Sequence, residues 1–221
     1  MTNVVWSHSS LKDFEGCARR YHQVKVLKLH PFKDTEQTIY GKELHKAAEE
    51  YVRDETPLPP QFEFIKDVLD QLLKKNGRKL VEHEMSLTVE LEPCHWKSPN
   101  AWVRGIADLL IIDDDNLTAW IVDYKTGNNK YPDRDQLVLM SLMVFEHFPH
   151  IRKVNSALLF VVKEDMVKLS MHRDQKEQFW QRYRERIARL EAAFANDVWN
   201  PTQTPLCGWC PCISCEFNPK H

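Results

Sequence analysis

The sequence predicts an α/β fold, with one domain over residues 1–221 that has a mixed central sheet and helices on both faces. Apolar residues recur at helical spacing through the first eighty residues and again after residue 173, whereas the segment between them shows the alternation of strands. A chain of 221 residues, 43% hydrophobic and 28% charged, can also bury a sizeable core. We divide the domain into a helical part (1–80), a sheet core (81–172) and a C-terminal helix with a cysteine-rich tail (173–221).

Caps and one-sided apolar stripes predict the helices. We expect them near residues 11–17, 40–53, 62–75, 135–148 and 174–195. Ser9 and Ser10 are candidate caps for the first helix, and Asn76-Gly77 ends the third. The helix over 135–148 is almost entirely apolar, so we expect it to be buried against the sheet.

Alternating or continuous apolar runs predict five strands. They cover residues 81–91, 102–112, 117–124, 154–162 and 166–172. The turn sequence Asp113-Asp114-Asp115-Asn116 joins the second and third strands into a hairpin. If Ile112 pairs with Leu117, Asp108 lies opposite Ile121. Asp123 is then a diagonal neighbour of Asp108 on the same face, at roughly 7–8 Å.

Charged residues interrupt both strands of this hairpin. Asp108 lies within an apolar strand, and Asp123 and Lys125 lie two apart on one face of the next strand. Charges in such surroundings need compensation, which an ion pair between Asp108 and Lys125 could supply without any function. Alternatively, the two carboxylates could hold Mg²⁺ or Mn²⁺, and the lysine could orient a water and balance negative charge. That combination suits hydrolysis of a phosphodiester.

The charge balance and the N-terminus limit the function classes. A formal net charge of −2 argues against coating nucleic acid by bulk positive charge, so DNA contact would need a local basic groove. The sequence contains no run of eighteen apolar residues, and its first seven residues do not resemble a signal peptide. We therefore expect a cytoplasmic protein, in which thiols stay reduced.

Clustered cysteines predict a metal site at the C-terminus. The six cysteines are Cys17, Cys94, Cys207, Cys210, Cys212 and Cys215. The last four fall within nine residues, a spacing that suits thiolate ligation of zinc or of an iron–sulfur cluster. The spacing leaves three alternatives open: a cluster, zinc held by the tail alone, or reduced thiols without metal. Cys94, isolated in a loop, is expected to be unliganded.

The order of these motifs resembles the RecB-type exonucleases of the PD-(D/E)xK superfamily. It is similar both to phage recombination exonucleases and to the iron–sulfur nucleases of CRISPR adaptation. The resemblance runs from Ser9 to Cys215 and is carried by His45, a strand glutamate, Gly105-Ile106-Ala107-Asp108, Val122-Asp123-Tyr124-Lys125-Thr126-Gly127 and Gln136. One departure is that Met140 stands where the family has a tyrosine four residues after this glutamine.

The resemblance implies roles for these residues. His45, Asp108, Asp123 and the backbone carbonyl of Tyr124 would be ligands of Mg²⁺ or Mn²⁺. Lys125 would be the catalytic lysine, and Gln136 would open the helix that follows the active strand. Glu82 is the preferred strand glutamate, with Glu84 as the alternative.

The resemblance also implies a [4Fe-4S] cluster that joins the two ends of the chain, with zinc as the alternative. Its ligands would be Cys17, Cys207, Cys210 and Cys215, and Cys212 would be spare.

From local positive charge, we expect salt-sensitive phosphate contacts at Arg19, Arg20, Lys130 and Arg134. The arginines of the last helix are expected to form mostly a solvated face.

The expected function is therefore a divalent-metal-dependent exonuclease that acts on single- or double-stranded DNA with free ends. Recombination, replication or DNA degradation would be its context, possible partners include a recombination protein, and a phage-encoded protein would act in the host cytoplasm. The alternative is a non-catalytic nucleic-acid-binding or adaptor protein that keeps the fold and the cysteine-bound metal. The intact set of carboxylates and lysine favours the enzyme.

Overall fold

A computed structural model describes residues 4–127, 130 and 132–220. The chain forms two compact units: one is Asp34–Trp180, and the other combines the chain up to Lys33 with the chain from Gln181 onward. The helices and strands, in chain order, are α1 (His8–Gly16), α2 (Ala18–Tyr21), α3 (Glu36–Asp54), α4 (Lys66–Leu73), β1 (Arg78–Leu87), β2 (Val103–Asp113), β3 (Thr118–Lys125), α5 (Arg134–His147), β4 (Lys153–Phe160), β5 (Asp165–His172) and α6 (Lys176–Asn196).

These elements confirm the predicted α/β class, and most boundaries fall within a few residues of those expected. Three local features differ. The N-cap of α1 is Ser7, and Ser9 and Ser10, the predicted caps, lie inside the helix. The third predicted helix begins as a 3₁₀ segment over Pro60–Ile65, with Pro60 at its first position, and is α-helical only from Lys66. A π-helical turn over His22–Val26 follows α2 and was not predicted.

The five strands form one mixed sheet in the order β1-β2-β3-β4-β5. Strands β3 and β4 are parallel, and the other neighbouring pairs are antiparallel. The parallel connection passes through α5, as a crossover between parallel strands requires. Helices α3 and α4 pack on one face of the sheet through a core that includes Leu44, Leu69, Leu109 and Ile111. On the other face, Leu137 of α5 packs with residues of β4.

The predicted register of the β2–β3 hairpin was wrong. Ile112 pairs with Ala119, not with Leu117, and Asp113 extends β2 by one residue. The turn explains the shift, because the Asp113 carboxylate accepts hydrogen bonds from the backbone (3.1 Å) and side-chain (2.8 Å) nitrogens of Asn116. Leu117 closes the turn with a left-handed φ of 52°. Ile121 therefore lies opposite Leu110, not opposite Asp108, and neither Asp108 nor Asp123 belongs to the β2–β3 ladder.

The unit formed by the chain ends is organised around aromatic contacts and an ion-pair cluster. Trp6 stacks on Tyr183 of α6 with ring centroids 5.7 Å apart. Glu15 of α1 accepts two hydrogen bonds from Arg186 and one from Arg189. Arg186 is therefore paired and partly buried, whereas Arg189 stays exposed on the solvated face expected for the last helix. No helix within the described residues is long and apolar enough to cross a membrane.

Candidate active site

The candidate site forms where β2 and β3 stop pairing. Their backbone ladder runs from Asp113 and Thr118 to Leu109 and Val122. Beyond it, the backbone N–H of Tyr124 donates to the carboxylate of Asp108 at 2.7 Å. The Asp108 carboxylate thus takes the place of the backbone carbonyl that would accept this N–H if the ladder continued. The separation leaves the Asp108 carboxylate at the point where the strands diverge.

Helix α3 brings His45 to the same point. Its Nε2 donates to the carbonyl oxygen of Tyr124 at 3.0 Å, and its Nδ1 lies 3.4 Å from Oδ2 of Asp108. Gly41, one turn earlier in α3, permits this approach, because a Cβ there would lie 3.3 Å from Oγ1 of Thr126. One ring nitrogen of His45 therefore faces an oxygen atom of β3, and the other faces an oxygen atom of β2.

Glu82 of β1 completes a cluster of three potential metal ligands. One ligand atom from each of His45, Glu82 and Asp108 lies within 4.8 Å of the others. Glu82 has a left-handed φ of 45°, which is strained for a residue with a side chain and interrupts the alternation of the strand. Glu84, the alternative glutamate, is exposed and does not belong to this cluster.

Asp123 and Lys125 lie beside this cluster. Lys125 Nζ is 2.5 Å from Oδ2 of Asp123, and Gln136 at the start of α5 donates to Oδ1 at 2.5 Å. Within the described residues, Oδ2 has an ion-pair neighbour but no hydrogen-bond partner, although it is buried. A buried carboxylate oxygen with an unused lone pair is suited to a cation.

Burial and mutual repulsion shift the pKa values of this group. Burial, reinforced by the Asp108 charge and opposed by Lys125, raises the pKa of Asp123 to about 6. Burial and Asp108 also raise the pKa of Glu82. Burial alone would lower the pKa of His45, but the hydrogen bond and charge of Asp108 outweigh it and the pKa rises. Crowded carboxylates that resist ionisation are typical of functional sites.

A family model described as "PD-(D/E)XK nuclease superfamily" matches residues 5–215. The chain belongs to the PD-(D/E)XK nuclease superfamily. Nucleases of this superfamily use divalent metals. No curated protein matches the sequence.

Two solved structures resemble this PD-(D/E)XK protein. A protein named "Putative exonuclease" from Eubacterium rectale is 13% identical, with a TM-score of 0.53 over 92% of this chain and 86% of that chain. The protein SSO0001 is 14% identical, with a TM-score of 0.43 over 98% of this chain and 87% of that chain. At this identity, the first likeness supports the fold alone.

The donor set of this PD-(D/E)XK site fits a hard divalent ion. Carboxylate oxygens of Asp108 and Glu82 converge with the His45 ring, and the buried Oδ2 of Asp123, whose neighbour is the Lys125 ammonium, lies nearby. Oxygen-rich sites with one imidazole suit Mg²⁺ or Mn²⁺. The structure therefore groups the residues that the sequence had separated by up to 78 positions, from His45 to Asp123.

Met140, which replaces the expected tyrosine, has a packing role. It is 4% exposed, and a Cβ on Gly105 would lie 2.9 Å from its sulfur. Met140 therefore fills the space above Gly105, where α5 packs closely against β2.

Five cysteines line a second candidate site, in the unit formed by the chain ends. Cys17, Cys207, Cys210, Cys212 and Cys215 surround a small cavity of about 20 Å³, together with Arg19, Arg20, Thr202 and Asn218. All six cysteines of the chain are free thiols. Burial, followed by the neighbouring thiol of Cys210, raises the pKa of Cys212 to about 12. A concentration of thiols around one cavity suits a soft metal centre.

The residues predicted to contact DNA lie in different surroundings. Arg19 pairs with Glu216 at 2.5 Å, and Arg20 pairs with Asp13 at 3.4 Å. Lys130 and Arg134 are exposed near the start of α5. Asn128, Asn129 and Tyr131, which flank Lys130, lie outside the described residues.

Proposed function

We propose that this protein is a divalent-metal-dependent DNA nuclease, and specifically an exonuclease that hydrolyses phosphodiester bonds from DNA ends. The observation that carries the proposal is the convergence of His45, Glu82 and Asp108 beside the Asp123–Lys125 pair. A non-catalytic protein of the same fold would have no need to keep a lysine and several carboxylates together at such an electrostatic cost.

Each residue has a distinct role in the proposed reaction. Asp108, Asp123, His45 and the Tyr124 carbonyl would hold Mg²⁺ or Mn²⁺, and Glu82 adds a further carboxylate beside them. The bound ion supplies polarisation of the phosphoryl oxygen and a more acidic attacking water. The Lys125 ammonium orients this water and stabilises the negative charge that develops on the phosphate. Gln136 fixes the Asp123 carboxylate by donating to its Oδ1.

Substitution of the site residues tests this proposal. We expect wild-type protein with Mn²⁺ or Mg²⁺ to shorten end-labelled linear DNA, and Asp123→Ala or Lys125→Ala to abolish the activity while circular dichroism stays unchanged. Lys97→Ala, in the connection between β1 and β2, is the matched control and should remain active. Undiminished activity in both site variants would reject the mechanism. Equal cutting of closed circular DNA would reject the requirement for an end.

We further propose that the cysteine cavity holds a [4Fe-4S] cluster through Cys17, Cys207, Cys210 and Cys215, with zinc as the alternative. The cavity that these thiols line supports a metal centre, and such a centre would join the two ends of the chain. Anaerobic purification should yield a visible absorption band that dithionite bleaches, together with bound iron. Stoichiometric zinc without iron would establish the alternative.

The biological context and the remaining contacts also belong to this proposal. We expect the nuclease to act in recombination, replication or DNA degradation, whether the chain is cellular or phage-encoded. Arg19, Arg20, Lys130 and Arg134 are proposed phosphate contacts. Alanine at each should weaken DNA binding to a similar extent for all sequences, because phosphate contacts carry no base information.

A further inference from the structure

The face of the sheet that carries α4 is covered in part over β3 and β4 and is exposed at Met166, Lys168 and Ser170 of β5. Its residues form four rows. From one end to the other, the rows are Thr118–Lys153–His172, Trp120–Asn155–Ser170, Val122–Ala157–Lys168 and Tyr124–Leu159–Met166. Most of these residues line a cleft of about 550 Å³, whose wall is formed by Val68, Gln71, Leu72 and Lys75. This volume falls in the range of small-ligand sites. We call it the β3–β5 cleft.

The charged side chains at the β3–β5 cleft are lysines. Lys75 and Lys168 line it, Lys153 lies in the adjoining row, and none of the rows or lining positions contains an aspartate or glutamate. The chain has 32 acidic residues and a net charge of −2, so their exclusion from this face is selective. No ion pair joins these three lysines to a carboxylate within the described residues. The cleft therefore complements an anion.

The chemistry of the cleft is also suited to a planar ring. Trp120 is partly exposed, and Lys75 Nζ lies 5.0 Å from its ring centroid. Leu159 and Met166 supply apolar surface, while Asn155 and Ser170 offer hydrogen-bonding groups. An aromatic floor flanked by lysines is the arrangement that binds unpaired bases together with their phosphates.

Strand β3 contributes residues both to the cleft and to the candidate active site. Tyr124, whose carbonyl contacts His45, belongs to the last of the four rows. Trp120 precedes it by four residues on the same face of β3, which corresponds to roughly 13 Å along the strand.

We propose that the β3–β5 cleft binds nucleotide units of single-stranded DNA, with bases against Trp120 and phosphates at Lys75, Lys153 and Lys168. The proposal rests on the proposed nuclease function for the choice of DNA as ligand. The same chemistry could be supplied by a free mononucleotide, such as a reaction product, and the experiment separates these two sources.

Binding in the absence of divalent metal tests the cleft independently of hydrolysis. Fluorescence anisotropy would measure the affinity of labelled oligo-dT, in chelator, for wild type, Lys153→Glu/Lys168→Glu and the control Lys97→Glu. We expect the double variant to bind at least ten-fold more weakly, with a salt slope reduced by about 1.4, or roughly 0.7 for each lost phosphate contact. The control should bind as wild type does. Equal affinity for all three proteins would overturn the proposal. The alternative would then be that this face binds a protein partner.

A comparison of two ligands tests the stacking contact. Wild type should prefer oligo-dT to an abasic oligonucleotide of the same length, and Trp120→Leu should lose this preference, whereas Trp120→Phe should keep part of it. Unlabelled dTMP should compete only at far higher concentration if the strand is the ligand. Competition by dTMP at the oligonucleotide's own concentration would assign the cleft to free nucleotides. A preference that persists in Trp120→Leu would overturn the stacking role.

The two proposals can fail separately. If the cleft variants bind poorly but wild type cuts no DNA with any divalent ion, the nuclease proposal alone fails. If wild type degrades DNA and the Lys153→Glu/Lys168→Glu variant binds and degrades it equally well, the cleft alone fails. Asp123→Asn, which lies outside the cleft, should lose cleavage and retain binding of the strand.

Discussion

At the scale of single residues, the candidate site is held in an electrostatically unfavourable state. Asp123 is 7% exposed and is repelled by the charge of Asp108, so its ionised form is costly in the absence of a cation. Lys125 offsets only part of this cost. Glu82 adds backbone strain through its left-handed φ. Together, these features indicate that the site lowers the stability of the folded protein, as is common where a site must bind metal and substrate.

Replacing Asp123 should therefore stabilise the metal-free protein. Its pKa rises from 3.8 in the unfolded chain to about 6 in the folded one. The free-energy cost of ionising Asp123 in the folded protein is absent below pH 3.8, grows as pH rises towards 6, and is constant above that. Asp123→Asn should remove roughly 2–3 kcal/mol of penalty at pH 7.5 and almost none near pH 4.

Thermal unfolding in chelator would measure this effect. The midpoint of Asp123→Asn should exceed that of wild type by several degrees at pH 7.5, and the two midpoints should converge near pH 4. A difference that does not change with pH would contradict the linkage. Asp165→Asn, at an exposed carboxylate of β5, is the control and should change neither midpoint appreciably.

At the scale of elements, the sequence predicted each strand and long helix because their hydrophobic periods are clear. The register of the β2–β3 hairpin was not predicted correctly, because it depends on the hydrogen bonds that Asn116 donates to the Asp113 carboxylate. The strain at Glu82 and the amide contact between Tyr124 and Asp108 were also invisible, because they arise only when three strands and α3 meet. Motif order could name the site residues, but not their distances.

Close packing of α5 on β2 depends on the absence of a side chain at Gly105. A Cβ there would lie 2.9 Å from the sulfur atoms of both Met140 and Met143, so one of them must move. Gly105→Ala should reduce the free energy of unfolding by about 1–3 kcal/mol. Adding Met140→Ala should recover part of this loss, as judged by urea denaturation. Gly16→Ala is the control, because nothing lies within 4 Å of its Cβ position. Equal effects of the two glycine substitutions would contradict the packing argument.

The side-chain amide of Asn218 holds the segment that carries Cys210 and Cys212. Asn218 is 3% exposed, and its Nδ2 donates to the carbonyl oxygens of Cys210 (3.0 Å) and Cys212 (3.3 Å). Asn218→Ala should leave these two carbonyls unpaired and loosen the loop. We expect a several-fold lower metal content per chain, measured by elemental analysis, while Asn200→Ala, an exposed residue of the same segment, retains the wild-type content. Full metal loading of Asn218→Ala would show that the loop is held by other contacts.

At the scale of the whole molecule, two sites of different chemistry occupy different parts of the chain. The oxygen-rich site belongs entirely to Asp34–Trp180, and the five-cysteine cavity belongs entirely to the unit formed by the chain ends. Hard and soft donors select different metals, so neither site should compete for the other's ion. Motif spacing indicated both sites. The β3–β5 cleft was not predicted, because alternation along a strand does not reveal which half of a sheet a helix will cover.

If the oxygen-rich site binds Mn²⁺ and the cysteine site holds the metal proposed above, this separation predicts that the two metals respond to different substitutions. In wild type, saturating Mn²⁺ should raise the unfolding midpoint, because an ion at 100 times its Kd contributes about 2.7 kcal/mol to the folded state. Asp108→Ala should lose this shift and keep the metal of the cysteine site. Cys207→Ser should lose the cysteine-bound metal and still respond to Mn²⁺, because none of the proposed Mn²⁺ ligands is a cysteine. A single substitution that abolishes both responses would mean that one site is required to build the other, and that the chain folds as one metal-dependent unit.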